Sequence, residues 1–182
     1  MARASYVFNA AQVEGYTAPV IEDLGPIERR REAERFIARN NPKIGHGGDE
    51  AYYDRTHDRI QMPHEGLFAD IDGMTRNEGY YATLLHELVH WTGARHRLNR
   101  EFGKRYGDLA YGAEELVAEI GSAFLCARLG ITDTVRPHHA QYLATWLTLF
   151  QGDSRAIFSA AARASEAVAF LAGQPSKAAE AA

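Results

Sequence analysis

The sequence predicts one α+β domain, in which a small sheet packs on a set of longer helices. Short segments rich in β-branched and aromatic residues, separated by glycine and aspartate, lie in the first third of the chain. Four longer segments with helix-capping signals and apolar faces dominate the rest. The chain has 182 residues, of which 46% are hydrophobic and 24% charged, and this size and composition are typical of a single globular domain.

The strands of the sheet are expected at residues 6–9 and within residues 43–62. Residues 51–53 and 59–62 have the aromatic and β-branched composition of short strands, and the polar residues between them form the connection. Pro63 ends the second of these strands, because proline has no amide hydrogen to donate to a neighbouring strand. These segments predict a sheet of only a few short strands.

A first helix is predicted over residues 26–39. Pro26 suits the first position of a helix, and the Asn-Asn-Pro sequence at 40–42 ends it. Three consecutive arginines at 29–31 lie in this helix among the glutamates at 28, 32 and 34. The alternation of charges favours a solvated, salt-bridged face over a nucleic-acid-binding patch.

The next helix is predicted over residues 76–92. Thr75 and Glu78 have the spacing of a capping box, and Gly93 can adopt the left-handed conformation that closes a helix. Three further helices are expected over residues 112–129, 137–151 and 154–172. We therefore predict one domain over residues 1–173, followed by a flexible tail at 174–182.

Composition and charge exclude several classes of protein. The single cysteine, Cys126, rules out a disulfide framework within the chain and a structural zinc site built mainly from thiolates. No secretory signal and no run of about 18 apolar residues is visible, so we expect a cytoplasmic protein without a membrane partner. The net charge of −4 supplies no general positive field for nucleic acid, and the oligomeric state stays open.

The segment His86-Glu87-Leu88-Val89-His90 has the HExxH pattern and lies inside a predicted helix. Residues four apart in a helix are about 40° apart around its axis, so His86 and His90 point the same way and can bind one Zn²⁺. Glu87 lies close to this metal position but off the ligand direction. That placement suits a general base that acts on a water activated by the metal.

The third metal ligand has three candidates. His96 completes the spacing of the metzincin signature, but metzincins also need a methionine turn downstream, and every methionine of this chain lies at or before Met74. Glu115 on the next helix is the gluzincin alternative, and Glu114 beside it is a third candidate. Glu119, one turn beyond Glu115 in an apolar run, is expected to accept a hydrogen bond from a ligating imidazole.

Several stretches of the chain resemble the metallopeptidase domain of ArdC-type antirestriction proteins, which also occurs in TraC-type plasmid primases and phage polyvalent proteins. The stretches are YVFNAAQVEG at 6–15, GG at 47–48, AYY at 51–53, DRIQMP at 58–63, HELVHWTG at 86–93, RLNR at 97–100 and EELVAEIG at 114–121. Further matching positions continue to about residue 171, so the resemblance covers nearly the whole chain.

The resemblance implies a zincin-like fold in which two histidines and a glutamate bind the metal. It also implies a single-stranded-DNA-binding domain ahead of the metallopeptidase domain in most members. This chain begins where the metallopeptidase domain begins, so we expect nucleic-acid binding by this chain alone to be weak. We expect the active-site cleft to lie between the edge of the sheet and the HExxH helix.

Two functions compete at this point. The first is a zinc-dependent metallopeptidase of a mobile-element antirestriction protein, which hydrolyses a peptide or protein substrate. The second is a non-catalytic, metal-stabilised binding module that interferes with restriction enzymes or shields DNA. Glu87 favours the first, because a purely structural metal site does not need a general base. A nucleobase deaminase is excluded, because it needs a closely spaced cysteine pair.

Overall fold

The computed structural model describes Gly15 and residues 24–71, 73–100, 109–132 and 143–173. Three strands and five α-helices lie in these ranges, with a short 3-10 turn at Glu65–Leu67. In chain order they are α1 Arg31–Asn40, β1 Lys43–His46, β2 Tyr52–Asp54, β3 Arg59–Met62, α2 Arg76–Thr92, α3 Leu109–Leu129, α4 Leu143–Gly152 and α5 Ala156–Leu171. The predicted α+β architecture is confirmed.

The described sheet has the strand order β1-β3-β2. β1 pairs with β3 in parallel, with Ile44 opposite Ile60, and β2 pairs with β3 antiparallel, with Tyr53 opposite Ile60. Ile60 and Met62 are fully buried, and both β2 and β3 pack against α2. The sheet therefore lies over α2 with β2 at its edge, while the strand expected at 6–9 lies outside the described residues.

Helix α1 begins at Arg31, later than the start expected at residue 26. The backbone amides of Ile27, Glu28 and Arg30 donate instead to side chains of other elements. Their acceptors are Glu65, Asn77 and Tyr81, at 2.8, 3.2 and 2.9 Å. Because these amides have tertiary acceptors, the segment stays extended and the helix starts after it.

Helix α2 spans the predicted residues, and the capping box of Thr75 and Glu78 forms with both of its reciprocal hydrogen bonds. The expectation for Gly93 is wrong, because this residue is right-handed, with φ −75° and ψ −6°. Its amide donates to the carbonyls of His90 and Trp91, and the chain continues into a series of turns. The end of α2 is thus closed by ordinary turn geometry.

Helix α3 is the central element of the helical layer, because it packs against α2, α4 and α5. It begins at Leu109, three residues before the expected start, whereas α5 falls within its expected range of 154–172. The first part of the helix expected at 137–151 and the tail expected at 174–182 lie outside the described residues. None of the helices in the described ranges has the length and apolar character that crossing a membrane requires.

Candidate metal centre

Helix α2 presents two histidines toward the same point. His86 and His90 are buried, at 5% and 8% exposure. They lie one turn apart on α2, and their Nε2 atoms are 3.2 Å from each other. The capped first turn and the buried apolar residues on either side fix the rotation of the helix, so both imidazoles point into the space between α2 and α3.

Helix α3 brings Glu115 to the same point. Its carboxylate oxygens lie 3.5 Å from the Nε2 of His86 and 3.4 Å from the Nε2 of His90. One potential ligand atom from each of the three residues lies within 4.8 Å of the other two. Two imidazole nitrogens and one carboxylate oxygen, buried and converging, are a donor set that suits a divalent cation.

The charges of this cluster interact strongly. Burial alone would lower the pKa of His90, but its hydrogen bonds to Glu114 and Glu115 and the charge of Glu87 raise it to about 10. Burial likewise raises the pKa of Glu115, but hydrogen bonds to His86 and His90 outweigh this and bring it well below its usual range. A positive charge is therefore strongly favoured between these carboxylates, whether it is a proton or a metal ion.

Each imidazole has a second carboxylate on its other ring nitrogen. Glu114 lies 3.1 Å from the Nδ1 of His90, and Glu119 lies 3.6 Å from the Nδ1 of His86. Glu119 thus stands where its position in the apolar run of α3 predicted. Glu114, considered above as a possible ligand, faces the nitrogen of His90 that points away from Glu115.

Glu87 is buried, at 7% exposure, beside the cluster on α2. Its carboxylate has no hydrogen-bond or ion-pair partner within the described part of the chain. An ionised carboxylate in that environment is costly unless a positive charge or a polar substrate lies nearby. Glu87 is not one of the three residues that could together hold a metal ion.

His96, the metzincin-type candidate, does not join the described cluster. Its side chain is 63% exposed, and its Nε2 lies 3.4 Å from Asp58 and 2.6 Å from a guanidinium nitrogen of Arg97. The structure therefore brings together His86, His90 and Glu115. It places His96 beside Asp58 and Arg97 instead.

Sequence reasoning missed Arg100. Its guanidinium donates to both carboxylate oxygens of Glu114, at 3.0 and 2.9 Å. Arg100 therefore contacts the carboxylate that lies next to the Nδ1 of His90. Two sequence signals were available: Arg100 ends the RLNR stretch that resembles the family, and Glu114 directly precedes the ligand candidate Glu115. Neither signal indicated a contact between Arg100 and Glu114, because acidic residues are common at helix starts for other reasons.

Sequence reasoning also missed a contact group that holds β2. The guanidinium of Arg97 donates to Tyr53 and Asp58, and it lies 3.7 Å from the centre of the Trp91 ring. Its Nε donates to the carbonyl of Trp91 at 2.6 Å. This group joins the sheet edge to the end of the metal-site helix.

The chain is similar to several known proteins. A model of the zincin-like metallopeptidase family MPTase-PolyVal matches residues 31–163. The y4eC protein of Sinorhizobium fredii is 44% identical over 177 residues, and the DNA primase TraC of Escherichia coli is 38% identical over 173 residues. The Mn(II)-bound crystal structure of the antirestriction protein ArdC from plasmid R388 is 38% identical and matches with a TM-score of 0.69.

The chain spans only part of each of these proteins. The matched region is 97% of this chain but 56% of the y4eC protein, and 91% of this chain but 15% of TraC. The match to ArdC covers 91% of this chain and 60% of that protein.

Proposed function

The chain belongs to the zincin-like metallopeptidase family, and from this we propose that it is a zinc-dependent peptidase domain of a mobile-element antirestriction protein. One observation carries the proposal. His86, His90 and Glu115 converge in a buried cluster, and Glu87 lies beside them on the same helix. The likeness to ArdC supports the antirestriction setting.

Zn²⁺ is the metal we propose for this cluster. Two imidazoles and a carboxylate are a ligand set known from catalytic zinc sites, where one coordination position stays available for water or substrate. A bound Zn²⁺ supplies Lewis acidity, which polarises a carbonyl and lowers the pKa of a water ligand. The similar ArdC structure contains Mn(II), so the metal content of the purified protein decides between the two ions.

Glu87 is the residue we propose as the general base. Its buried carboxylate lies next to the cluster and has no hydrogen-bond partner in the described ranges, so it is available to accept a proton from the attacking water. Protonated Glu87 can then donate that proton to the leaving amine. A positioned acid–base group of this kind contributes about 10²–10⁴-fold to the rate.

The substrate we propose is an extended peptide segment bound between β2 and α2. β2 is at the edge of the described sheet and packs against α2, the helix that carries both histidines. An edge strand offers backbone groups that can pair with an added strand. Arg97 binds this edge through Tyr53 and Asp58, so the β2 side of the proposed cleft is held in a fixed position.

A non-catalytic module is the alternative function. The metal would then stabilise the fold, and the domain would interfere with a restriction enzyme or shield DNA. The names of the relatives, an antirestriction protein and a DNA primase, favour this alternative. The two functions differ in what they require of Glu87.

Replacement of Glu87 by glutamine separates the two functions. We expect Glu87→Gln to keep its metal and its melting temperature, because the change preserves shape and leaves the three ligands intact. Cleavage of a broad fluorogenic peptide library should fall by about 10²–10⁴-fold. Metal content by mass spectrometry and cleavage should be measured on the same preparation.

Glu166→Gln is the matched control, since it makes the same change on α5, outside the cluster, and should leave cleavage unchanged. Cleavage by the wild type that is lost in Glu87→Gln, with metal retained, supports the peptidase. Loss of metal or stability in Glu87→Gln would instead assign Glu87 a structural role. An inactive wild type that retains its metal would favour the binding module.

A further inference from the structure

Each of the two histidines has an outer carboxylate near its Nδ1. Glu119 approaches the Nδ1 of His86 at 3.6 Å. Glu114 approaches the Nδ1 of His90 more closely, at 3.1 Å, and both of its oxygens also accept hydrogen bonds from Arg100, at 3.0 and 2.9 Å. His90, Glu114 and Arg100 therefore form a continuous chain of contacts that ends at a cation.

Arg100 is fixed to the same helix that carries His90. Its guanidinium donates to the carbonyl of Val89 at 2.6 Å and to the hydroxyl of Thr92 at 2.8 Å. Its backbone amide donates to the carbonyl of Gly93 at 2.9 Å, which closes the turns after α2. The cation that holds Glu114 is thus positioned by Val89, directly before His90, and by Thr92, two residues after it.

This ion pair is almost completely buried. The side chains of Arg100 and Glu114 are 4% and 3% exposed. Buried ion pairs are weak evidence for a contribution to stability, because the loss of hydration offsets most of the attraction between the charges. A role that requires the negative charge of Glu114 beside His90 explains the buried pair better than a contribution to stability does.

The geometry defines what the pair does to His90. A carboxylate only accepts hydrogen bonds, so Glu114 requires a hydrogen on the Nδ1 of His90. In the neutral imidazole, the lone pair then lies on the Nε2 of His90, on the side where His86 and Glu115 lie. Bidentate contact with Arg100 occupies both oxygens of Glu114 and keeps it on the Nδ1 side.

We propose that Arg100 and Glu114 are a positioning pair that fixes the orientation and tautomer of His90 and so sets the affinity of the metal centre. The inference rests on the proposed metal site and extends it to two residues that do not touch the metal. Outer-shell partners of ligating histidines typically contribute about 10–100-fold to metal affinity.

Two variants test the pair through metal affinity, measured by competition with a chromophoric chelator. Glu114→Gln keeps the shape but removes the charge, and we expect it to weaken Zn²⁺ binding by about 10–100-fold. The double variant Arg100→Met/Glu114→Leu replaces the ion pair with apolar side chains of similar size. We expect it to fold with a melting temperature near that of the wild type and to bind Zn²⁺ more weakly.

Glu65→Gln is the matched control. Glu65 also accepts a hydrogen bond from an arginine, Arg29, and faces a histidine, His46, at 3.6 Å, but it lies outside the metal cluster. If Glu114 is purely structural, Glu114→Gln and Glu65→Gln should lower stability by similar amounts. The positioning role predicts a loss of metal affinity only at Glu114.

Wild-type affinity in both Glu114→Gln and the double variant would overturn the inference. Complete loss of metal in Glu114→Gln, equal to that of Glu115→Gln, would also overturn it, because Glu114 would then be a ligand. A wild type that binds no divalent metal would overturn this inference together with the proposed function, whereas metal binding without peptidase activity contradicts only the proposed function.

Discussion

Three glutamates of α3 face different nitrogens of the two histidines because of their positions around the helix axis. Glu115 reaches the Nε2 atoms of both histidines, while Glu114 and Glu119 reach the two Nδ1 atoms. In the proposed metal site, a glutamate can therefore act as a ligand or as an orienting acceptor. The role depends on which ring nitrogen of the imidazole the carboxylate approaches.

The ligand assignment leads to a direct prediction. We expect Glu115→Ala to weaken Zn²⁺ binding by more than the 10–100-fold typical of outer-shell partners, because it removes a ligand atom. His96→Ala should leave the affinity nearly unchanged, since His96 is exposed and outside the cluster. Chelator competition measures both variants. Loss of metal in His96→Ala with retention in Glu115→Ala would favour the metzincin-type ligand set.

At the scale of elements, a glycine sets the distance between α2 and α3. A Cβ atom at Gly121 would lie 2.9 and 3.0 Å from the two methyl carbons of Val89. Val89 is fully buried and β-branched, so it has little freedom to move away. It is also the neighbour of His90. The close approach at Gly121 therefore allows Glu115 on α3 to reach the histidines on α2.

We expect Gly121→Ala to lower the free energy of unfolding by about 1–2 kcal/mol and to weaken metal binding. The clash costs about 1–3 kcal/mol and exceeds the gain of about 1 kcal/mol from helix propensity. Urea unfolding and chelator competition measure the two effects.

Gly79→Ala is the control, because a Cβ there meets nothing closer than 3.8 Å. It should leave stability unchanged or slightly raised. Equal stability of Gly121→Ala and Gly79→Ala would show that the helix spacing adapts.

The contact between Arg97 and Asp58 makes the attachment of β2 pH-dependent. Hydrogen bonds from Arg97 lower the pKa of Asp58 from 3.8 to about 2. The ionised carboxylate therefore stabilises the folded state fully above its ordinary pKa. This contribution disappears as the pH falls from about 4 toward 2.

Comparison of the wild type with Asp58→Asn isolates this contribution. We expect Asp58→Asn to lower the free energy of unfolding at about pH 6, and the difference from the wild type to shrink at about pH 3. Urea unfolding at both pH values measures it. A difference that stays constant between the two would show that the carboxylate does not titrate in this range.

At the scale of the whole molecule, charge argues against strong nucleic-acid binding. The net charge is −4, and the two arginines directly before α1 are near carboxylates. Arg29 pairs with Glu65, and Arg30 lies 3.9 Å from Glu78. Of the interleaved glutamates predicted from the sequence, Glu34 lies 3.6 Å from Arg29, while Glu65 and Glu78 come from other parts of the chain.

We expect this chain to bind single-stranded DNA no more tightly than the micromolar range at about 150 mM salt, which is usual for non-specific contacts. Fluorescence anisotropy with a labelled oligonucleotide measures the affinity at two salt concentrations. Nanomolar binding at the higher salt concentration would contradict the prediction and place a specific site on this domain.

The sequence predicted those parts of the molecule that local signals determine. The capping box fixes α2 to the residue, and the spacing of His86 and His90 places them on one face. Glu119 stood out because a carboxylate in an apolar run needs a partner. The start of α1 and the role of Arg100 could not be predicted, because both depend on side chains that only the tertiary fold brings near.

The metal cluster and its outer carboxylates lie between positions 86 and 119 of a 182-residue chain. Contacts over such short separations require small loops, whose closure costs little entropy. The candidate metal centre is therefore almost local in sequence. The similarity to the relatives is not confined to it, since the matches cover 97% and 91% of this chain. The short span follows from the position of all three glutamates on α3, the next described helix after the histidines.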